Sequence, residues 1–148
     1  MRIVVQRSKK ASVKVNGEII GQIDHGMVIL VGFTYNDSID DIDYMINKIL
    51  NLRIYDDEFG VMNKSILDVG GSILSVSQFT LYADASHGRR PSYINALKGD
   101  EAIKLYNLFN ERLSKYINVS TGKFGAYMDV SLVNDGPTTI LLESRNHG

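Results

Sequence analysis

The sequence contains no cysteine. That excludes disulfide staples and thiolate metal sites, and it fits a reducing compartment, so a cytoplasmic location is expected. Long apolar runs are also missing. The longest, such as Met27 to Val31, fall far short of the roughly 20 residues that a membrane-spanning helix needs. The opening residues lack an extended apolar core followed by a small-residue cleavage site, so no secretory leader is expected. Positive charge is not in excess either, the formal net charge being −1. Proteins that grip a long duplex are usually basic, so DNA and extended RNA are disfavoured as partners. A small footprint, such as the end of one RNA strand, stays open. The three histidines, His25, His87 and His147, show no metal-ligand spacing, and no metal is expected. No histidine accompanies a G-x-S-x-G elbow, so a serine triad has no support. Neither a P-loop nor a G-x-G-x-x-G turn occurs, and no cofactor is expected.

What is present suffices for one core. The chain has 148 residues, 44% hydrophobic and 22% charged. One domain over residues 1–148 is expected, burying about 70% of its unfolded surface. Arg2 to Arg7 reads as a strand and Ala11 to Val15, by alternation, as a second. Asn16-Gly17 signals a type I′ hairpin turn, which needs positive φ at both positions. Glu18 to Ile23 returns as a third strand. Met27 to Phe33 is apolar on both parities, so both of its faces are expected to be covered. Ser38 with Asp41 resembles a capping box, and Ile39, Ile42, Met45, Ile46, Ile49 and Leu50 make one helical stripe. The acidic residues Asp37, Asp40, Asp41 and Asp43 read as capping and solvated face. Leu52 to Tyr55 is a short strand, and an apolar strand starts at Ile73. Asp100 to Ile117 is a second helix, with Ile103, Tyr106, Leu108, Phe109, Leu113 and Tyr116 on its buried side. Two strands follow, Ala126 to Val133 and Thr138 to Glu143, joined by Asn134-Asp135-Gly136-Pro137. Ser144 to Gly148, with His147, reads as a frayed end. The order predicts an antiparallel-rich α+β fold, a barrel-like sheet with two main helices.

The chemistry concentrates where the strand Ile73-Leu74-Ser75-Val76 runs into Ser77, Gln78, Phe79 and Thr80. A stiff strand that ends in hydroxyl and amide groups, with backbone N–H groups leaving the ladder, can surround a reacting carbonyl with fixed donors. A buried strand whose polar groups are satisfied locally fits the same residues. Asn134 to Pro137 likewise reads as an ordinary bend between strands. The Thr80 hydroxyl has no evident base to activate it, which favours a positioning role over a nucleophilic one.

Taken together, Ser77-Gln78-Phe79-Thr80-Leu81-Tyr82-Ala83-Asp84 and Asn134-Asp135-Gly136-Pro137-Thr138-Thr139 resemble the two signature motifs of the bacterial D-aminoacyl-tRNA deacylases, also called D-tyrosyl-tRNA deacylases. The resemblance extends to Met1 to Arg7, Lys48 to Ile54, Gly88 to Ser92 and Gly122 to Ala126. It implies hydrolysis of the ester between a D-amino acid, or glycine, and the terminal adenosine of tRNA, with aminoacyl-tRNA as the partner. In that family the RNA's own 2′-hydroxyl assists the reaction, and backbone N–H groups around Phe79 and Thr80 would form the oxyanion hole. Gly136-Pro137 would be a cis dipeptide lent to the partner's site in a homodimer. There it would exclude L-amino acids by backbone clash and ask nothing of the D side chain. Arg7 would brace that loop. Phe79 and Met128 would line the adenosine pocket, and Arg89 and Arg90 would meet phosphates. Position 127 is Tyr where the family more often has Asp, and position 8 is Ser where it more often has Val. An RNA-end binder without catalysis and a general small-ester hydrolase are the competing readings.

Overall fold

The computed structural model describes residues 1–145, so His147 and the expected fraying of residues 146–148 lie outside the described residues. The organising element is β1, Arg2–Val15, one 14-residue strand where two were expected. The long β8, Asp129–Glu143, runs antiparallel along one edge of β1, from Arg2 opposite Glu143 to Lys14 opposite Asp129. Its other edge is shared. β3, Gly26–Gly32, pairs with residues 2–8, and β2, Glu18–Ile23, pairs with residues 11–15. The β1–β2 turn has Asn16 at φ +52° and Gly17 at φ +79°, the signs a type I′ turn requires.

β6, Ser72–Ser77, lies parallel to β3, and β7, Val119–Thr121, lies parallel to β6. β7 then returns toward β2, where Ser120 Oγ donates to the Gln22 carbonyl at 3.0 Å. The sheet is therefore nearly closed on itself. A small hairpin, β4 (Tyr55–Asp56) with β5 (Met62–Lys64), stands apart. The strand expected from Leu52 thus starts only at Tyr55.

Two bulges interrupt the β1–β8 ladder. Between the pairs Gln6–Thr139 and Ser8–Asn134, β1 contributes Arg7 alone while β8 contributes residues 135–138. Between Ser8–Asn134 and Ala11–Leu132, β1 has Lys9 and Lys10 against Val133. The expected Thr138–Glu143 strand and the expected Ala126–Val133 strand, which starts only at Asp129, thus belong to one interrupted strand.

Apolar residues form two clusters. Ile3, Val5, Met27, Ile29, Val31 and Ile73 face the helices, while Ala11, Val13, Val28, Leu74 and Val76 fill the barrel interior. β3 and β6 supply both clusters, which is why their sequences are apolar on both parities. Helix α1, Ile39–Asn51, starts at Ser38 with a full capping box: Asp41 accepts from the Ser38 amide at 2.9 Å. Its buried stripe is Ile42, Met45, Ile46, Ile49 and Leu50, but Ile39 is exposed in the first turn. Helix α2, Gly99–Leu113, buries Ala102, Tyr106, Phe109 and Leu113. Ile103 and Tyr116 are exposed, the latter because the helix ends before it. Arg112 joins the helices through two bonds to Asp43, at 2.8 and 3.0 Å.

The acidic cluster before α1 is only partly a solvated face. The Asp37 side chain is 1% exposed and pairs with the Met1 ammonium at 2.8 Å and with Arg145. Ser144 donates to Asp41 and, through its amide, to the Met1 carbonyl. Ser144 and Arg145 are thus tied down, contrary to the frayed end expected there. No helix among the described residues is long and apolar enough to cross a membrane.

Candidate active site

β6 ends at Ser77, and the chain turns at once into a short 3₁₀ segment, Phe79–Tyr82. The turn is seated on β3, with the Gln78 amide donating to the Val31 carbonyl at 2.8 Å. Gly32 permits the approach, since a Cβ there would lie 2.9 Å from the Gln78 carbonyl oxygen. Within the turn Leu81 donates back to Gln78 and Ala83 to Thr80. The amides of Phe79 and Thr80 open the segment, so no preceding turn supplies their acceptors. Gln78 Nε2 donates to the Thr80 hydroxyl oxygen, which holds both side chains.

This turn borders a largely apolar cleft of about 560 Å³. Val31, Gly32 and Val76 form its base, and Ser77, Gln78 and Phe79 form one wall. Segment 93–97 and the start of α2 close another side, anchored by the Leu97 amide on the Phe33 carbonyl at 3.0 Å. Residues 124–128 supply the facing wall, Met128 among them. Below β6, the buried Tyr106 hydroxyl donates to the Ser75 carbonyl at 2.8 Å and receives Ser75 Oγ at 3.2 Å. Burial pushes the Tyr106 hydroxyl pKa up, so it stays a neutral donor. Helix α2 thereby fixes the strand that carries the turn.

The Gly136–Pro137 bond is cis. Both residues are exposed at the tip of the larger bulge. Behind them Arg7, 7% exposed, donates from Nε to the Asp135 carbonyl at 2.9 Å and from Nη1 to the Ile54 carbonyl at 2.7 Å. Asn134 receives the Thr138 amide at 3.0 Å and donates to Thr139 Oγ1 at 2.9 Å. Gly136 has φ +128°, and a Cβ there would sit 2.6 Å from Thr138 Oγ1. This position requires glycine.

The expected site residues therefore fall into three places. Ser77, Gln78, Phe79 and Met128 line the cleft, with Thr80 bonded just behind Gln78. Arg7, Gly136 and Pro137 form a second group outside it. Arg7 is opposite Met27 on β3, whereas the cleft begins at Val31. Four residues of strand put the groups roughly 13 Å apart along β3. Arg89 and Arg90 are exposed on a third element, the loop closed by the reciprocal Asp84–Ser92 bonds at 2.8 Å. Sequence reasoning missed Tyr93, whose ring meets Phe79 edge-on at 5.1 Å, and the Ser75–Tyr106 link. Tyr93 lies in a loop without periodicity, and Tyr106 reads as plain core.

A family model described as D-Tyr-tRNA(Tyr) deacylase matches residues 4–143. The chain belongs to that family. Two bacterial relatives named D-aminoacyl-tRNA deacylase agree with this. One, from Geobacillus sp. (strain WCH70), is 57% identical over 146 residues, covering 98% of this chain and 96% of its own. The other, from Bacillus cytotoxicus, is 59% identical over the same length, covering 98% and 100%. A solved structure named c-Myc DNA Unwinding Element Binding Protein superposes with TM-score 0.93 at 44% identity, covering 98% of this chain and 99% of the other. A second, described as a probable eukaryotic D-amino acid tRNA deacylase, has TM-score 0.81 at 16% identity over 95% and 97%, and shows the shared fold alone. As a deacylase family member the chain is a hydrolase. Ser77, Gln78 and Phe79 of the first motif line this cleft, whereas Gly136 and Pro137 of the second do not.

Proposed function

We propose that this chain hydrolyses the ester of D-aminoacyl-tRNAs, and of glycyl-tRNA, as a two-fold homodimer in the cytoplasm. The observation that carries the reading is the turn at the end of β6. It leaves the amides of Phe79 and Thr80 without acceptors from the turn itself and sets Ser77, Gln78 and Phe79 on the wall of an apolar cleft. An aminoacyl ester is already activated, so its cleavage needs a placed water and support for one oxyanion. The Phe79 and Thr80 amides supply that support. Thr80, engaged by Gln78, positions and does not attack. The adenosine 2′-hydroxyl, adjacent to the ester, orients the water. Ser77 and Gln78 hold the aminoacyl end, Phe79 and Met128 hold the adenosine, and Arg89 and Arg90 meet the phosphates that follow.

The braced but exposed Gly136–Pro137 tip supports a dimer. It lies roughly 13 Å from its own cleft along β3, yet Arg7 and Asn134 hold it in one place. A second copy related by two-fold symmetry brings each tip to the other's cleft. There the backbone excludes the side chain of an L-amino acid, while glycine, with two α-hydrogens, passes. The test is deacylation of D- and L-tyrosyl-tRNA side by side. The D ester falls quickly and the L ester persists. Loss of both indicates a general ester hydrolase, and survival of both indicates an RNA-end binder. A terminal 2′-deoxyadenosine slows the reaction strongly, and unchanged turnover removes the 2′-hydroxyl from the mechanism.

A further inference from the structure

The mouth of the cleft is rimmed by aromatic rings, of which Tyr93 and Tyr127 have no part in the proposed reaction. Phe79 and Tyr93 are 56% and 43% exposed and pack edge-to-face on one side. Tyr127, on the facing wall, is 90% exposed. It stands just ahead of β8, whose first apolar residues Val130 and Leu132 pack with Met128 against the barrel interior. A turn closed by the Ala126 amide on the Lys123 carbonyl at 3.1 Å presents the ring, with Gly125 at φ +77°. Singly exposed aromatics need no explanation, but three around one cleft mark a contact surface.

We infer that Tyr127 is a stacking platform for the nucleotide that precedes the terminal adenosine, so the chain binds the unpaired RNA end as at least two nucleotides. The inference rests on the reading of the cleft as an aminoacyl-adenosine site. The occupant follows from chemistry on three sides. A strand whose last nucleoside fills the cleft must leave by its mouth, where Tyr127 stands. Unpaired bases stack on exposed aromatic rings with little sequence preference. The exposed cations Lys123, on the same turn as Tyr127, and Arg89 and Arg90, on the loop before Tyr93, complement the phosphates of such a strand. A protein partner would find no such pairing of ring and cation with a pocket sized for a nucleoside.

The test uses two non-hydrolysable ligands, D-tyrosine amide-linked to 3′-aminoadenosine and the same group on a cytidylyl-adenosine dinucleotide. Calorimetry on the full chain gives both affinities for the wild type, Tyr127→Ala and Tyr127→Phe. The wild type binds the dinucleotide about 5- to 150-fold more tightly, the value of one base–aromatic stack. Tyr127→Ala brings the dinucleotide down to the affinity that the same variant has for the mononucleoside, and Tyr127→Phe keeps the advantage. Survival of the advantage in Tyr127→Ala, equal weakening of both ligands, or no advantage in the wild type overturns the inference while the cleft reading stands. If the wild type binds neither ligand, the cleft reading itself fails and the stacking site falls with it.

Discussion

Replacing Arg7 by Met separates a braced Gly136–Pro137 tip from a merely surface-exposed one. The guanidinium is 7% exposed and donates to the carbonyls of Asp135 and Ile54 at 2.9 and 2.7 Å. Each bond to a charged group contributes about 1.5–3 kcal/mol, an upper bound of about 3–6 kcal/mol for the pair. The carboxylates of Asp56 and Asp135, at 3.5 and 3.6 Å, add little because both are about half exposed. Met fills similar volume and removes the cost of burying a charge, which recovers part of the loss. The net expectation is about 3 kcal/mol, and at about 2–4 °C per kcal/mol for a chain of this size the melting temperature falls by about 6–12 °C. If half of that loss reaches the tip, about 1.4 kcal/mol of discrimination goes with it, a tenfold narrowing of the preference for D- over L-tyrosyl-tRNA. Arg7→Lys keeps the charge but cannot span both carbonyls, so it falls between. Parallel deacylation of the two esters, with a thermal melt, reads both effects. An unchanged melt with an unchanged D-to-L ratio refutes the bracing argument. A lowered melt with an unchanged ratio confines Arg7 to stability.

Gly136→Ala places a Cβ 2.6 Å from Thr138 Oγ1 and 3.0 Å from Arg7 Nη2, at φ +128°. The strain of about 1–3 kcal/mol displaces the tip, and hydrolysis of L-tyrosyl-tRNA rises in the same paired assay. Ser8→Val acts in the other direction. Among the described residues the buried Ser8 Oγ finds no hydrogen-bond partner, so removing it gains about 1 kcal/mol, and a melt about 2–4 °C higher checks it.

Much of the architecture was legible because its causes are local. The Asn16-Gly17 turn, the Ser38–Asp41 cap and the two-sided apolar pattern of β3 each follow from neighbouring residues. Boundaries set by distant partners were not. Nothing between Arg7 and Ala11 says that β1 continues, because its continuity depends on β8 pairing along both halves. Asp37 looks like a solvated cap until the Met1 ammonium and Arg145 arrive from the two ends of the chain. Ile39 keeps helical spacing yet sits in a first turn that nothing covers. The site divides in the same way. Ser77 to Phe79 could be placed because a strand end is readable. The seating of Gln78 against Gly32 and the Tyr106 brace under Ser75 could not, since both join segments far apart in sequence.

The paired lysines opposite Val133 set the phase of the whole sheet. Before them the odd-numbered residues Ile3 and Val5 face the helices, and after them Ala11 and Val13, also odd, face the barrel interior. One extra residue has shifted the parity of the strand. Deleting either Lys9 or Lys10 would remove the bulge and restore plain alternation, with Ala11 and Val13 still on the face that Ser8 holds through its pairing with Asn134. The doubled lysine thus changes which parity of the sequence points inward and leaves the inward face of the strand where it was.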